Sequence, residues 1–148
     1  MQWRFASSAD IRRLAELNHQ LIADEGHGDV MDVAELEHRM QVWLATQYKA
    51  VLFHSNEEVV AYALFRDHEG GGAYLRHFFV VRTRRRQGIG RHALQLLARK
   101  VLSGRRLVLD VLSGNAAGRA FWAAVGFREY AVLLERDADA VPQSERTS

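Results

Sequence analysis

Apolar and polar positions along this chain follow two periods. Gln2, Trp3, Arg4 and Phe5 alternate with the period of a strand, so residues 2–5 open the fold as a short strand. Ser7 or Ser8 then caps a helix with Asp10 in its first turn, and Ile11, Leu14, Leu17, Leu21 and Ile22 give that helix one apolar face. The acidic stretch 23–29, broken by Gly26 and Gly28, interrupts it. Asp32 and Glu35 make a capping box for a second helix, which Val33, Leu36, Met40, Trp43 and Leu44 carry to about residue 46. Residues 49–54 and 59–66 are apolar runs separated by Ser55, Asn56, Glu57 and Glu58, a hairpin pattern.

The glycine-rich loop at 67–72 leads into residues 74–81, a run of aromatic and β-branched side chains that reads as a buried central strand. Ile89, Ala93, Leu94, Leu97, Ala98, Val101 and Leu102 then recur at the spacing of one helical face. Residues 107–112 form the next strand, parallel to the central one and reached by a right-handed crossover. A helix over 115–125 ends at Gly126, and residues 127–134 supply a closing strand. The order predicts a mixed α/β fold, a mostly antiparallel central sheet flanked by helices. One domain is expected over residues 1–136, with 137–148 a polar tail lacking fixed structure.

A chain of 148 residues buries a core without metal or disulfide support. There is no cysteine, which removes disulfides, thiol nucleophiles and cysteine-ligated zinc. A formal charge of only +2 argues against a whole-surface nucleic-acid binder. No stretch approaches the roughly 20 apolar residues of a membrane span, and the start resembles no secretory leader, so no membrane partner and a cytoplasmic location are expected.

The basic character is local. Arg82, Arg84, Arg85, Arg86 and Arg91 crowd the turn between the central strand and the helix that follows, together with Gln87, Gly88, Ile89 and Gly90. Glycines let the backbone approach a bulky anion closely. The first N–H groups of the helix have no partner within it, and guanidinium forks match phosphate oxygens. A diphosphate fits such a turn. Three rival readings are a merely solvated loop, a nucleic-acid contact and a dinucleotide fingerprint. The last has Gly88, Gly90 and Ala93 in G-x-G-x-x-A order and Asp110 at a suitable distance. Against it, residues 82–87 separate the glycines from the strand, and a long N-terminal region precedes that strand.

Arg85-Arg86-Gln87-Gly88-Ile89-Gly90 resembles the R/Q-x-x-G-x-G/A signature of the GCN5-related N-acetyltransferases. Asn115, Ala116, Ala120, Phe121, Trp122, Gly126 and Phe127 resemble a second segment of the same family. The resemblance covers roughly residues 2–135 and implies the acetyltransferase (GNAT) fold. It also implies acetyl-CoA as co-substrate, with no metal, and transfer of acetyl to a primary amine of a small molecule or an exposed protein amine. A non-catalytic acetyl-CoA-binding or sensing module is the alternative. Homodimers are common in the family, which extends the expectation to a homodimer.

By the same resemblance the coenzyme contacts are Phe79, Val80, Val81, Arg85, Arg86, Gln87, Gly88, Ile89, Gly90, Arg91, Asn115 and Trp122. The oxyanion donor is a backbone N–H among residues 79–81. Where the family often has a carboxylate on the central strand, this chain has Arg76 and His77. His77 and Glu25 are the candidate bases, an imidazole because it titrates near neutral pH. Asp24, Glu25, His27 and His77 are the candidate acceptor-binding residues. Trp122 stands where the family commonly has a tyrosine acid; indole N–H donates hydrogen bonds but does not serve as an acid.

Overall fold

Strands β1 (Gln2–Phe5), β2 (Tyr48–Ser55), β3 (Glu58–Asp67), β4 (Ala73–Val80) and β5 (Leu107–Val108) lie in sequence order in one sheet, antiparallel from β1 to β4 and parallel between β4 and β5. The structure, a computed structural model, describes residues 1–26 and 31–145. It divides into two units, residues 1–115 and 116–148. The sheet belongs to the first. No helix among the described residues is long and apolar enough to cross a membrane.

Helices α1 (Ile11–Glu25) and α2 (Val33–Ala45) pack on one face. Cross-strand partners share a face, so Tyr48, Ala50 and Leu52 on β2 align with Leu64 and Tyr62 on β3 and with Phe79 on β4. These residues form a buried cluster with Leu14, Leu17 and Met40 of the two helices. The alternate residues Val51, Phe53, Ala61 and Ala63 are also buried. Helix α3 (Ile89–Leu96) packs on β3 and β4 and buries Ile89, Ala93 and Leu94. Burial on both faces explains why β2 and β3 read as continuous apolar runs without alternation.

Two local features shape the site. The β3–β4 register shifts at Leu64/Phe65: Leu64 faces His77 and Phe65 faces Leu75, which leaves Arg76 without a partner. This bulge lets Tyr74, Arg76 and His77 all turn toward the α1–α2 face, which regular pleating forbids. A bulge also bends its strand. The ladder between β4 and β5 covers only Ala73–Leu107 and Tyr74–Val108, just short of the bulge, so the strand expected over 107–112 is cut to two residues. Gly72, at φ +79°, permits the close approach that starts this ladder. The Ala73 N–H donates to the Arg106 carbonyl at 2.8 Å, and a Cβ on Gly72 would collide with that carbonyl oxygen.

The helix expected to run to residue 102 ends as α-helix at Leu96 and continues as a wider π turn, Leu97–Val101. In the second unit, α4 (Ala116–Ala124) closes as expected at Gly126, φ +101°. The Phe127 N–H returns to the Trp122 carbonyl at 2.9 Å, and the rings of Phe121, Trp122 and Phe127 meet edge to face. Arg119 pairs with Glu129 at 2.8 Å. The closing strand expected over 127–134 is not formed. No ladder among the described residues includes it, and Tyr130, Val132, Leu133 and Leu134 are exposed. An apolar run becomes a strand only where a second backbone satisfies its N–H and C=O groups.

Candidate active site

The turn after β4 begins with a single 3₁₀ turn, Arg82–Arg84. Arg86 (φ +62°) and Gly88 (φ +76°) then adopt left-handed backbone conformations, and Gly88 is the N-cap of α3. Left-handed residues set between others turn successive N–H groups to one side, which makes an anion-binding concavity. The His92 N–H donates to the Gly88 carbonyl at 3.1 Å, so the helix ladder begins there and leaves the N–H groups of Ile89, Gly90 and Arg91 without helical partners. No atom lies within 4 Å of where a Gly88 Cβ would stand, so the turn is open on that side.

The arginines of the turn divide into two sets. Arg82 reaches Asp24 through Nε and NH2 at 3.0 and 2.6 Å, and Arg85 reaches the other Asp24 oxygen at 2.6 Å. Burial alone would raise the Asp24 carboxyl; the hydrogen bonds from Arg85 and Arg82 outweigh it and hold the group below its ordinary value. Arg84 pairs with Glu58 at 3.1 Å and donates to Gln87 Oε1 at 3.4 Å. Arg86 and Arg91 have no ion pair among the described residues. Asp24, expected to face an acceptor, therefore ties the end of α1 to the basic turn.

Backbone geometry distinguishes the candidates at 79–81. The Val81 N–H donates to the Val60 carbonyl at 2.9 Å, toward β3. Along a strand, successive residues direct their N–H and C=O to opposite edges, so Phe79 also faces β3 and Val80 faces the other edge. The Val80 carbonyl there accepts from Arg85 Nε at 3.0 Å. Because β5 pairs β4 only at Ala73 and Tyr74, no strand ladder among the described residues reaches the Val80 N–H on that edge.

On the α1–α2 face, His77 Nδ1 and the Tyr62 hydroxyl are 3.1 Å apart. Tyr62 is fully buried and its hydroxyl titrates well above its ordinary value, first through burial and then through the nearby charge of Glu25. Burial, followed by Arg39 and Arg76, pushes His77 down from 6.5 to about 3. Both guanidiniums lie over the indole of Trp43, at 4.4 and 4.8 Å from its centroid, and the Trp43 and His77 rings are 5.5 Å apart. The Tyr48 hydroxyl accepts from Arg66 Nε at 3.2 Å and from Arg76 at 3.3 Å. His27 lies outside the described residues. Asn115 directly precedes α4 and donates its backbone N–H to the Leu112 carbonyl at 2.9 Å; Trp122 lies in the second unit.

Sequence reasoning passed over Arg39, Trp43, Tyr48 and Tyr62. The one available signal was Arg39 four residues before Trp43 on α2, where it shares a helical face with an otherwise apolar stripe.

The family model for the acetyltransferase (GNAT) family matches residues 11–127. The chain belongs to that family. No curated protein matches it. Among solved structures, a mutant of the BH1408 protein from Bacillus halodurans superposes with a TM-score of 0.75 at 22% identity, covering 93% of this chain and 99% of that one. A predicted acetyltransferase from Clostridium acetobutylicum, solved with acetyl-CoA, gives 0.70 at 22% identity, covering 92% and 95%. The aminoglycoside antibiotic 6'-N-acetyltransferase of Acinetobacter haemolyticus gives 0.69 at 20% identity, covering 94% and 100%. At these identities the structures share the fold. That fold, with three antiparallel strands before β4, leaves no place for the parallel-sheet dinucleotide reading.

Proposed function

We propose that this chain transfers acetyl from acetyl-CoA to a primary amine, carried by a small molecule or exposed on a protein, by direct attack on the thioester. The carrying observation is the succession along one short segment of an open-edge backbone donor at Val80, an open turn with left-handed residues at Arg86 and Gly88, and a helix N-terminus flanked by Arg86 and Arg91. The diphosphate takes the N–H groups of Ile89, Gly90 and Arg91, and the two arginines supply charge-assisted hydrogen bonds. The pantetheine arm follows the open edge of β4, so the thioester carbonyl accepts from the Val80 N–H. As the amine nitrogen bonds to the carbonyl carbon, negative charge gathers on that oxygen and its hydrogen bond strengthens. The C–S bond then breaks, the sulfur leaves with the electron pair, and the nitrogen gives up its second proton to the departing thiolate or to water; a thiol titrates near 8.5, so no side-chain acid is needed.

The attacking amine must first lose a proton, because alkyl amines titrate near 10. His77, held at about 3, is a weak proton acceptor at neutral pH. Its proposed role is to orient the acceptor together with Tyr62, while Glu25, whose charge acts on Tyr62, takes the proton. Asp24 is assigned to holding the turn. The family match crosses both units, which supports reading residues 1–136 as one acetyltransferase domain. The test is thiol release from acetyl-CoA across a panel of primary amines. Release that requires both protein and amine is expected; tight acetyl-CoA binding with no release on any amine would favour the non-catalytic binding module.

A further inference from the structure

On the α1–α2 face beside β4, the charge of Glu25 reaches the Tyr62 hydroxyl, while among the described residues no carboxylate pairs with Arg39 or Arg76. Arg39 and Arg76 share the Trp43 ring, and each also acts on His77. Burial, followed by the charge of Arg76, lowers the Arg39 guanidinium from its ordinary value, the direction expected of neighbouring cations. Arg39 Nε is buried with no hydrogen-bond partner among the described residues, and the Arg76 hydrogen bond is to a neutral oxygen, the Tyr48 hydroxyl. Among the described residues neither guanidinium faces a carboxylate. The bulge at Arg76 is what brings it to this face.

An unpartnered buried N–H and a paired set of cations against an aromatic floor describe a receptor for a planar anion, since guanidinium donors match carboxylate oxygens two by two. The same field opposes a purely cationic ligand. An acceptor amine is an ammonium ion in water, and a molecule carrying only positive charge would meet two guanidiniums that have no ion pair among the described residues. A carboxylate on the same molecule reverses the sign of that interaction. Aminoglycosides, which carry several ammonium groups and no anion, are thus poorly matched to this chain despite the name of one structural relative.

We infer that the acceptor bears a carboxylate, received by Arg76 and Arg39 beside Trp43; the inference rests on the acetyl-transfer reading and names its substrate class. The test uses the full chain loaded with CoA, in which no transfer takes place. It is titrated calorimetrically with acids and their decarboxylated partners: lysine and cadaverine, tryptophan and tryptamine, phenylalanine and phenethylamine, γ-aminobutyrate and propylamine. At least one acid should bind about tenfold or more tightly than its partner, the worth of one charge-assisted contact. Arg76→Gln, at an exposed strand position, and Arg39→Gln should each remove most of that preference by weakening the acid, while the decarboxylated cation binds no less tightly and acetyl-CoA affinity is unchanged. No acid outbinding its partner, equal losses for both members of a pair, or a fall in acetyl-CoA affinity instead would each overturn the inference. Thiol release with acetyl-CoA is measured separately. An acid preference without release keeps the anion site and removes acetyl transfer; release from the decarboxylated amines alone keeps transfer and removes the anion site.

Discussion

Replacing His77 with asparagine should flatten the pH dependence of stability. In the folded chain His77 titrates near 3, against 6.5 ordinarily, because burial and then the charges of Arg39 and Arg76 disfavour the imidazolium. A lowered folded value means that the unfolded chain binds the extra proton first, so this contribution to stability is complete above 6.5 and is lost as pH falls toward 3. Each unit of pH within that window costs at most about 1.4 kcal/mol for one proton. At pH 5 the folded His77 is still neutral and the unfolded one is protonated, which gives a loss of about 2 kcal/mol relative to pH 8. The His77→Asn side chain does not titrate but retains an amide opposite Tyr62. Asp10, held at about 2 by Arg4, adds acid sensitivity at lower pH to both proteins and cancels in the comparison. Urea unfolding followed by tryptophan fluorescence at pH 8, 6.5 and 5 should show the stability difference between the two proteins changing by about 2 kcal/mol, with the wild type losing ground on acidification. A difference constant across that range would mean that His77 protonates in the fold at its ordinary pH, and the electropositive account of its surroundings would fail.

Other outcomes follow from the same geometry. Asn18 is fully buried on α1 and neither side-chain amide atom has a hydrogen-bond partner among the described residues, so Asn18→Leu should stabilise the chain by about 1–2 kcal/mol in the same unfolding assay. Gly72→Ala adds a Cβ against the Arg106 carbonyl at φ +79° and should cost about 2–3 kcal/mol, seen as a lowered thermal midpoint. Glu25→Gln should reduce kcat/KM by roughly a hundredfold at neutral pH and recover part of the loss at alkaline pH, where the amine deprotonates unaided; an unchanged pH–rate profile would remove Glu25 as the base.

What the sequence made legible is what short-range chemistry determines. The hairpin at Asn56 and Glu57, both at positive φ, follows from the break between two apolar runs. The turn from Arg82 to Gly88 and the helix after it follow from glycines and three-and-four spacing. The bulge at Arg76 was not legible, because it is a property of the register between two strands and leaves no signature in either alone. That one slip decides which side chains share the α1–α2 face. The division of the arginines was equally hidden: whether Arg85 is free for phosphate or tied to Asp24 depends on where the end of α1 lies, 61 residues earlier. The closing run 127–134 shows the reverse failure, since its composition favours a strand but no partner backbone is present among the described residues.

The account stands most directly on coenzyme binding at the turn. Calorimetric titration of the wild type and of a variant with Gly88 and Gly90 both replaced by valine, using acetyl-CoA with NADH as control, tests it. Gly88 occupies a left-handed conformation that a β-branched residue resists, so the substitutions should deform the cradle while leaving the sheet intact. Acetyl-CoA should bind the wild type, fail to bind the variant, and NADH should bind neither. Undiminished acetyl-CoA affinity in the variant, or NADH binding to the wild type, would contradict the assignment of the turn and every role built on it.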